Sequence, residues 1–314
     1  MSALRRLTGL ALALILCAPP CGAWAEPAER APAVPMLWRI ERTPPSYVLG
    51  TIHVPDPRVL HLPAAVSKAF DRADVVYTEI ALDLDARQKL LELAAAQMPR
   101  PLEELLPEAL DRRLERYLAA HGVAFESVSQ QPPWMVSFVL VMLGARSAGP
   151  ASLNPPLDLY LHQRAVLEGK AVGALELPAT SMTAFAELPL EEQISMLDAV
   201  LAQQERAEPE KGSRSNPVEP FLRAYLRGDE TELVRLSQLE SLESDPDGAH
   251  FLDLLVNQRN AGMAHAILSA LQASPGKSHF FAMGTLHLPG PKGLIAQLEA
   301  AGLRISRVGS GSGS

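Results

Sequence analysis

Cysteine is almost absent from this chain of 314 residues. The two that occur, Cys17 and Cys21, both precede Glu26. The chain beyond Glu26 therefore has no thiol nucleophile, no thiolate metal site and no disulfide. Any metal there must be held by histidine and carboxylate. An excess of positive charge is missing too. The formal charge is −8 and no basic run interrupts it, which argues against nucleic acid as a partner. Long apolar runs are also lacking. Leu7 to Cys17 and Trp134 to Leu143 both fall short of the roughly 18–20 residues that a stable membrane span needs. No His-Glu-x-x-His helix, Gly-rich phosphate loop or Gly-x-Ser-x-Gly elbow occurs. Ordinary zincin, phosphate-loop and serine-nucleophile chemistry find no support. What is present is an ordinary globular composition, 47% apolar and 20% charged.

The N-terminus reads as a signal peptide over residues 1–25. Arg5 and Arg6 precede the apolar run Leu7 to Cys17, and Ala23-Trp24-Ala25 offers a small-x-small cleavage pattern. Loss of the two arginines takes the formal charge from −8 to −10. An exported, cysteine-free, acidic chain suits a bacterial periplasm or secretion. Residues 26–35, rich in Pro and Ala, read as a linker, and residues 36–308 as a single domain. Residues 309–314 alternate Gly and Ser and read as a flexible tail.

One phrase occurs twice in that domain. Near the start, an apolar run leads into Gly50-Thr51-Ile52-His53, then Val54, Pro55, Asp56, Pro57 and Arg58. Near the end, another leads into Gly284-Thr285-Leu286-His287, then Leu288, Pro289, Gly290, Pro291 and Lys292. Each apolar run reads as a buried strand closed by glycine, so each histidine falls just past a strand's C-terminal end. Ligands favour that edge in sheets flanked by helices. Two such histidines, far apart in sequence, can meet if the halves of the chain pair. Imidazole is a common ligand of divalent transition metals. The competing explanation is a duplication whose histidines are structural.

Two further strands carry a carboxylate near their ends. Asp74 to Ile80 carries Glu79, and Lys170 to Leu177 carries Glu176. A solvated strand terminus explains either glutamate equally well, yet carboxylates are seldom buried unless paired or bound. Between these strands the chain reads helical, from Asp83 to about Leu143. Gly144 to Pro155 reads as a loop and Asp158 to Glu168 as another helix. Asp158 suits a helix start, so capping is the expectation there, with support of the site as the alternative. Helices are also expected from Ala179 to Glu205, with Glu191, Glu192 and Gln193 on a solvated face, and from Phe221 to Leu242. In the stretch from His250 to Leu271, Leu252, Leu255, Met263 and Ile267 define an apolar stripe with Arg259 upon it. A guanidinium facing a core needs a partner because it keeps its charge; the strand-end carboxylates or an oxyanion of the substrate are the natural ones, and the alternative is an arginine that snorkels to solvent along its stem. Asn260 beside it can orient a ligand.

As an ordered set, His53, Glu79, Glu176, Arg259-Asn260 and His287 resemble the TraB/PrgY/GumN family, which includes the animal Tiki proteins. The likeness runs from about Met36 to Val308. It implies an α+β fold of two related halves, each a short-stranded sheet portion with flanking helices, with the site at the strand C-terminal ends. Through the Tiki branch it implies a metal-dependent protease that favours manganese or cobalt over zinc, with His53, His287 and Glu79 as metal residues. Asp158, Glu176, Arg259 and Asn260 match recurring positions of that family. The chemistry is consistent with the residues. A nitrogen/oxygen site with open positions can polarise a carbonyl and activate water. Glu176 or Glu79 can serve as base, and Arg259 can steady an oxyanion. The expectation is thus a divalent-metal-dependent hydrolase acting on a peptide or protein. The alternative is a non-catalytic protein that sequesters a metal or peptide in the same pocket.

Overall fold

The computed structural model describes residues 35–54, 56–81, 88, 92, 98, 100–147, 154–177, 185–207, 219–237 and 256–309. The expected signal peptide, the linker through residue 34, most of the stretch from 83 to 99, Leu252, Leu255 and the tail beyond Gly309 lie outside these residues.

The first two apolar runs, Met36 to Ile40 and Ser46 to Thr51, form a hairpin. β1 (Leu37–Ile40) pairs antiparallel with β2 (Ser46–Thr51), Leu37 opposite Leu49. Asp56 then opens α1 (Pro57–Leu60), its Oδ1 accepting from the Arg58 N–H at 2.8 Å. α2 (Ala64–Arg72) buries Val66, Ala69 and Phe70 at helical spacing and leads into β3 (Val75–Ile80). There follow α3 (Leu102–Leu105), α4 (Glu108–Ala120), α5 (Pro133–Ser147), α6 (Leu157–Leu167), β4 (Ala171–Glu176) and α7 (Leu190–Ala207). The chain closes with α8 (Glu219–Arg227), α9 (Glu230–Ser237), α10 (Gln258–Ala273), β5 (His279–Gly284), α11 (Leu294–Ala300) and β6 (Ile305–Arg307).

The strands form one mixed sheet in the order β4-β3-β5-β2-β1-β6, flanked by helices. This is the α+β class expected. β4, β3, β5 and β2 run parallel, and β1 is antiparallel to both β2 and β6. The two copies of the repeated phrase supply β2 and β5, which lie side by side. Their register is offset by one residue, because Thr51 rather than Gly50 lies opposite Gly284. Four parallel strands end on the same edge of the sheet, which is what delivers the strand-end residues to one place. β5 is buried throughout, and Phe280, Phe281, Ala282 and Met283 form the continuous apolar run of a central parallel strand.

Two apolar clusters support this frame. The sheet and α2, α6, α8, α10 and α11 share one, built around Ile40, Phe70, Phe280, Phe281 and Met263. α3, α4, α5 and α7 share the other, in which Trp134 stacks on Phe185 with ring centroids 6.1 Å apart. Trp134 to Leu143 therefore lies in a buried helix of this second cluster. Among the described residues no helix is long and apolar enough to cross a membrane.

Three local expectations change. The helix continues through Gly144 to Ser147, and Gly144 leaves room for the Gln204 side chain of α7, whose Oε1 a Cβ would meet at 1.8 Å. The helical stretch from Phe221 breaks at Gly228, whose φ of 66° suits a residue without Cβ, and restarts as α9. Gln193 is buried rather than solvated and donates to the Leu188 carbonyl at 2.8 Å.

Candidate functional site

Each strand-end group sits where its strand runs out. His53 lies just beyond β2, Glu79 is next to last in β3, and Glu176 is last in β4. His287 closes a short 3₁₀ turn, Thr285–His287, after β5. Asp158 comes from the first turn of α6, and Arg259 and Asn260 from the first turn of α10. All seven of these side chains are buried or nearly so, Asp158 being the most exposed at 9%.

Their contacts form two matched arrangements around one clamp. His53 Nδ1 meets Asp158 Oδ1 at 2.8 Å, and His287 Nδ1 meets Asn260 Oδ1 at 2.7 Å. An amide oxygen can only accept, so the Nδ1 of His287 is the donor in that contact. The Nε2 of His287 lies 3.6 Å from Glu79 Oε1. His53 Nε2 is buried and has no hydrogen-bond partner among the described residues. Arg259 Nη2 donates to both Glu79 Oε1 and Glu176 Oε2, the second at 2.7 Å, and its Nε reaches Glu176 Oε2 at 3.0 Å. Glu79 Oε2 accepts the Gly284 N–H at 2.9 Å. Asn260 is itself anchored, donating to the Lys292 carbonyl at 3.1 Å.

Gly284 lies at the centre. A Cβ there would stand 3.3 Å from Glu79 Oε2, 3.4 Å from His287 Cδ2 and 3.7 Å from His53 Nε2. The glycine of the second phrase therefore admits three site groups to one point. Gly50 has a different neighbour: its Cβ would meet Thr285 Oγ1 at 2.7 Å and Leu288 Cδ1 at 2.9 Å. Both glycines do more than close a strand.

The electrostatics are uneven. Burial disfavours charge on Glu79, but Arg259 and then His287 outweigh it and hold the carboxyl well below its usual range. Burial pushes Glu176 up, and its repulsion with Glu79 adds to this against the pull of Arg259. Burial opposes protonation of His53, yet the charge and hydrogen bond of Asp158 raise its pKa on balance. Glu176 Oε1 is buried and, like His53 Nε2, lacks a partner.

Asp158 does not cap its helix. Pro156 holds the cap position, and the aspartate turns to His53 instead. One contributor escaped sequence reading altogether. Tyr225, from α8, donates its hydroxyl to the Gly50 carbonyl at 2.8 Å and so fixes the approach to His53. Burial, and secondarily the charge of Asp158, keeps that phenol protonated far above its ordinary pKa. In the sequence Tyr225 reads only as one apolar position of an amphipathic helix.

The profile of the TraB/PrgY/gumN family matches residues 36–307. The chain belongs to this family. Curated relatives include the metalloprotease TIKI2 of Xenopus tropicalis, 28% identical over 88% of this chain and 60% of the relative. The human metalloprotease TIKI1 is 26% identical over 88% of this chain and 62% of its own length. An uncharacterized protein of Treponema pallidum is 25% identical over 80% of this chain and 73% of the relative. The chain thus spans about three fifths of the TIKI proteins it matches. No solved structure matches it.

The TIKI relatives are named as metalloproteases, so the fit of this chain's residues to a metal ion matters. Among the described residues no group of three His, Cys, Asp or Glu side chains is arranged to hold an ion as it stands. Both Glu79 oxygens are already hydrogen-bonded, Oε1 to Arg259 and Oε2 to the Gly284 amide. The donor set nevertheless fits in kind. Two imidazole Nε2 atoms, each with its Nδ1 held by an oxygen, flank a carboxylate around Gly284. Oxygen partners on the far ring nitrogen are the usual supports of metal-bound histidine.

Proposed function

We propose that the chain is a divalent-metal-dependent hydrolase acting on peptide bonds outside the cytoplasm. The observation that carries this reading is the unpartnered, buried Nε2 of His53 facing the same glycine as His287 and Glu79. Buried polar nitrogens are usually paired, and this one is open at the point where Glu79 and His287 also converge. In this reading His53, His287 and Glu79 hold the ion, with manganese or cobalt preferred over zinc. A bound ion would polarise a carbonyl and bring the pKa of water down to about 7.

The chain's own residues supply the rest. Asp158 and Asn260 set the ring orientations of the two histidines. Arg259 keeps Glu79 ionised and anchors Glu176 through Oε2, leaving Oε1 open. Burial raises the Glu176 carboxyl, so it is a stronger base than an ordinary glutamate and suits removal of a proton from attacking water. In this reading the Arg259 guanidinium steadies developing negative charge on the carbonyl oxygen. The signal-like N-terminus and the absence of cysteine beyond Glu26 support export.

The test is turnover. The chain is screened against a peptide library with manganese, cobalt or zinc added, alongside Glu176→Ala. A hydrolase loses cleavage in Glu176→Ala while retaining metal. A sequestering protein binds metal in both forms and cleaves with neither, which would overturn the proposal.

A further inference from the structure

Resting on the peptide reading above, we infer that the outer edge of β4 is the substrate-docking strand, which takes up an extended segment of an unfolded or flexible polypeptide by strand addition and leads it to Glu176.

Among the described residues β4 is the last strand on its side of the sheet. The Ala171 N–H reaches the Asp74 carbonyl at 3.3 Å. In a parallel ladder a residue turns both backbone groups to one side and its neighbours turn theirs to the other. Ala171, Gly173 and Leu175 therefore face β3, and Val172, Ala174 and Glu176 face outwards. No described residue bonds to those outward groups. Exposed edges of this kind are usually blunted by charge, proline or a covering element, because they template further pairing. Ala171 to Leu175 contains neither charge nor proline. The edge is apolar as well. Val172 is 42% exposed and Leu177, just beyond the strand, 72%. Leu167, which ends α6 ahead of β4, is 81% exposed.

The edge runs into the site rather than past it. Glu176 turns its backbone outwards while its side chain bonds Arg259, and its Oε1 is buried without a partner. From Val172 to Glu176 the edge spans about 13 Å, and an added strand would lie about 4.8 Å away. Main-chain hydrogen bonds along that length would give affinity with little regard to sequence, and the exposed apolar side chains would set a preference for alternating apolar residues. The chemistry selects an extended polypeptide over a folded domain, since only unpaired backbone can complete the ladder.

The experiment uses the full chain and reduced, carboxymethylated α-lactalbumin as a permanently unfolded probe. Val172→Pro removes one outward N–H without touching the β3 ladder, and Val172→Thr keeps it. Strand addition predicts that Val172→Pro weakens probe binding at least tenfold, with Val172→Thr within about twofold of the parent. Cleavage of the probe, where it occurs, should show a raised KM with kcat nearly unchanged. Should Val172→Pro fold poorly by circular dichroism, hydrogen exchange on the parent decides, since probe must then protect the amides of Val172, Ala174 and Glu176. Equal binding by both variants, or no protection, would overturn the docking inference while leaving any metal-dependent cleavage intact. Proline-sensitive binding without cleavage would support docking and overturn the hydrolase reading instead. A dimer of this chain that Val172→Pro dissolves would overturn the inference, by assigning the edge to a second copy.

Discussion

Asp158 Oδ1 lies 2.8 Å from Nδ1 of His53, linking the first turn of α6 to the end of β2 across 105 residues of sequence. This contact turns the Nε2 of His53 into the open position on which the proposed function rests. Its counterpart is the 2.7 Å contact between Asn260 and His287. One histidine is held by a carboxylate and the other by an amide. The carboxylate raises the pKa of His53 against the burial that lowers it.

Replacing Asp158 tests this support. Asp158→Ala should lower divalent-metal affinity about 10- to 100-fold, the usual cost of losing such a partner. Asp158→Asn should cost less, because it keeps the hydrogen bond and loses only the charge. Metal titration of the two variants against the parent checks the order.

Arg259 spans two buried carboxylates, so removing it leaves charge without a partner. Arg259→Met should destabilise the fold by roughly 3–5 kcal/mol in urea unfolding at neutral pH. The loss should shrink as pH falls, because Glu79 and Glu176 can then be neutralised by protons. A loss that stays constant with pH would contradict the clamp.

Gly50 faces Thr285 across the paired phrases, and a Cβ there would stand 2.7 Å from Thr285 Oγ1. Gly50→Ala should destabilise by about 1–3 kcal/mol through overpacking. Thr285→Ala removes the nearest atom, so the double variant should recover part of that loss. A double-mutant cycle on unfolding measures the coupling.

A pH window comes from α8. Arg58, through its hydrogen bonds, lowers the Glu219 carboxyl from 4.5 to about 2. A depressed native pKa means that the unfolded chain binds the proton first. The contribution is therefore full above about 4.5 and fades as pH falls towards 2. Glu219→Gln should flatten the stability profile across that interval and leave it little changed in shape near neutrality.

Much of the site was legible because its residues break local rules. Histidines that follow apolar runs, glutamates that end strands and an arginine on an apolar stripe each conflict with their surroundings, and the fold resolves those conflicts against one another. The strand order was less legible. That β2 and β5 lie side by side follows from pairing over 230 residues, to which local pattern is blind. Asp158 looked like a cap because α6 begins there, and only the third dimension supplies His53 as its partner. Tyr225 and the steric roles of Gly50 and Gly284 left no periodic trace at all. Gly228 did carry a signal, since glycine before aspartate ends many helices, but the surrounding apolar spacing masked it.

The central claim is that His53 and His287 hold one ion between them. Its most direct measurement is bound metal, by plasma mass spectrometry, after equilibration with manganese, cobalt and zinc and removal of excess. The parent chain and the His53→Ala and His287→Ala variants would be compared, each first shown to be folded. The account predicts about one equivalent in the parent and a loss of nearly all of it in either single variant. Retention of metal in both variants, or no uptake by a folded parent, would contradict it.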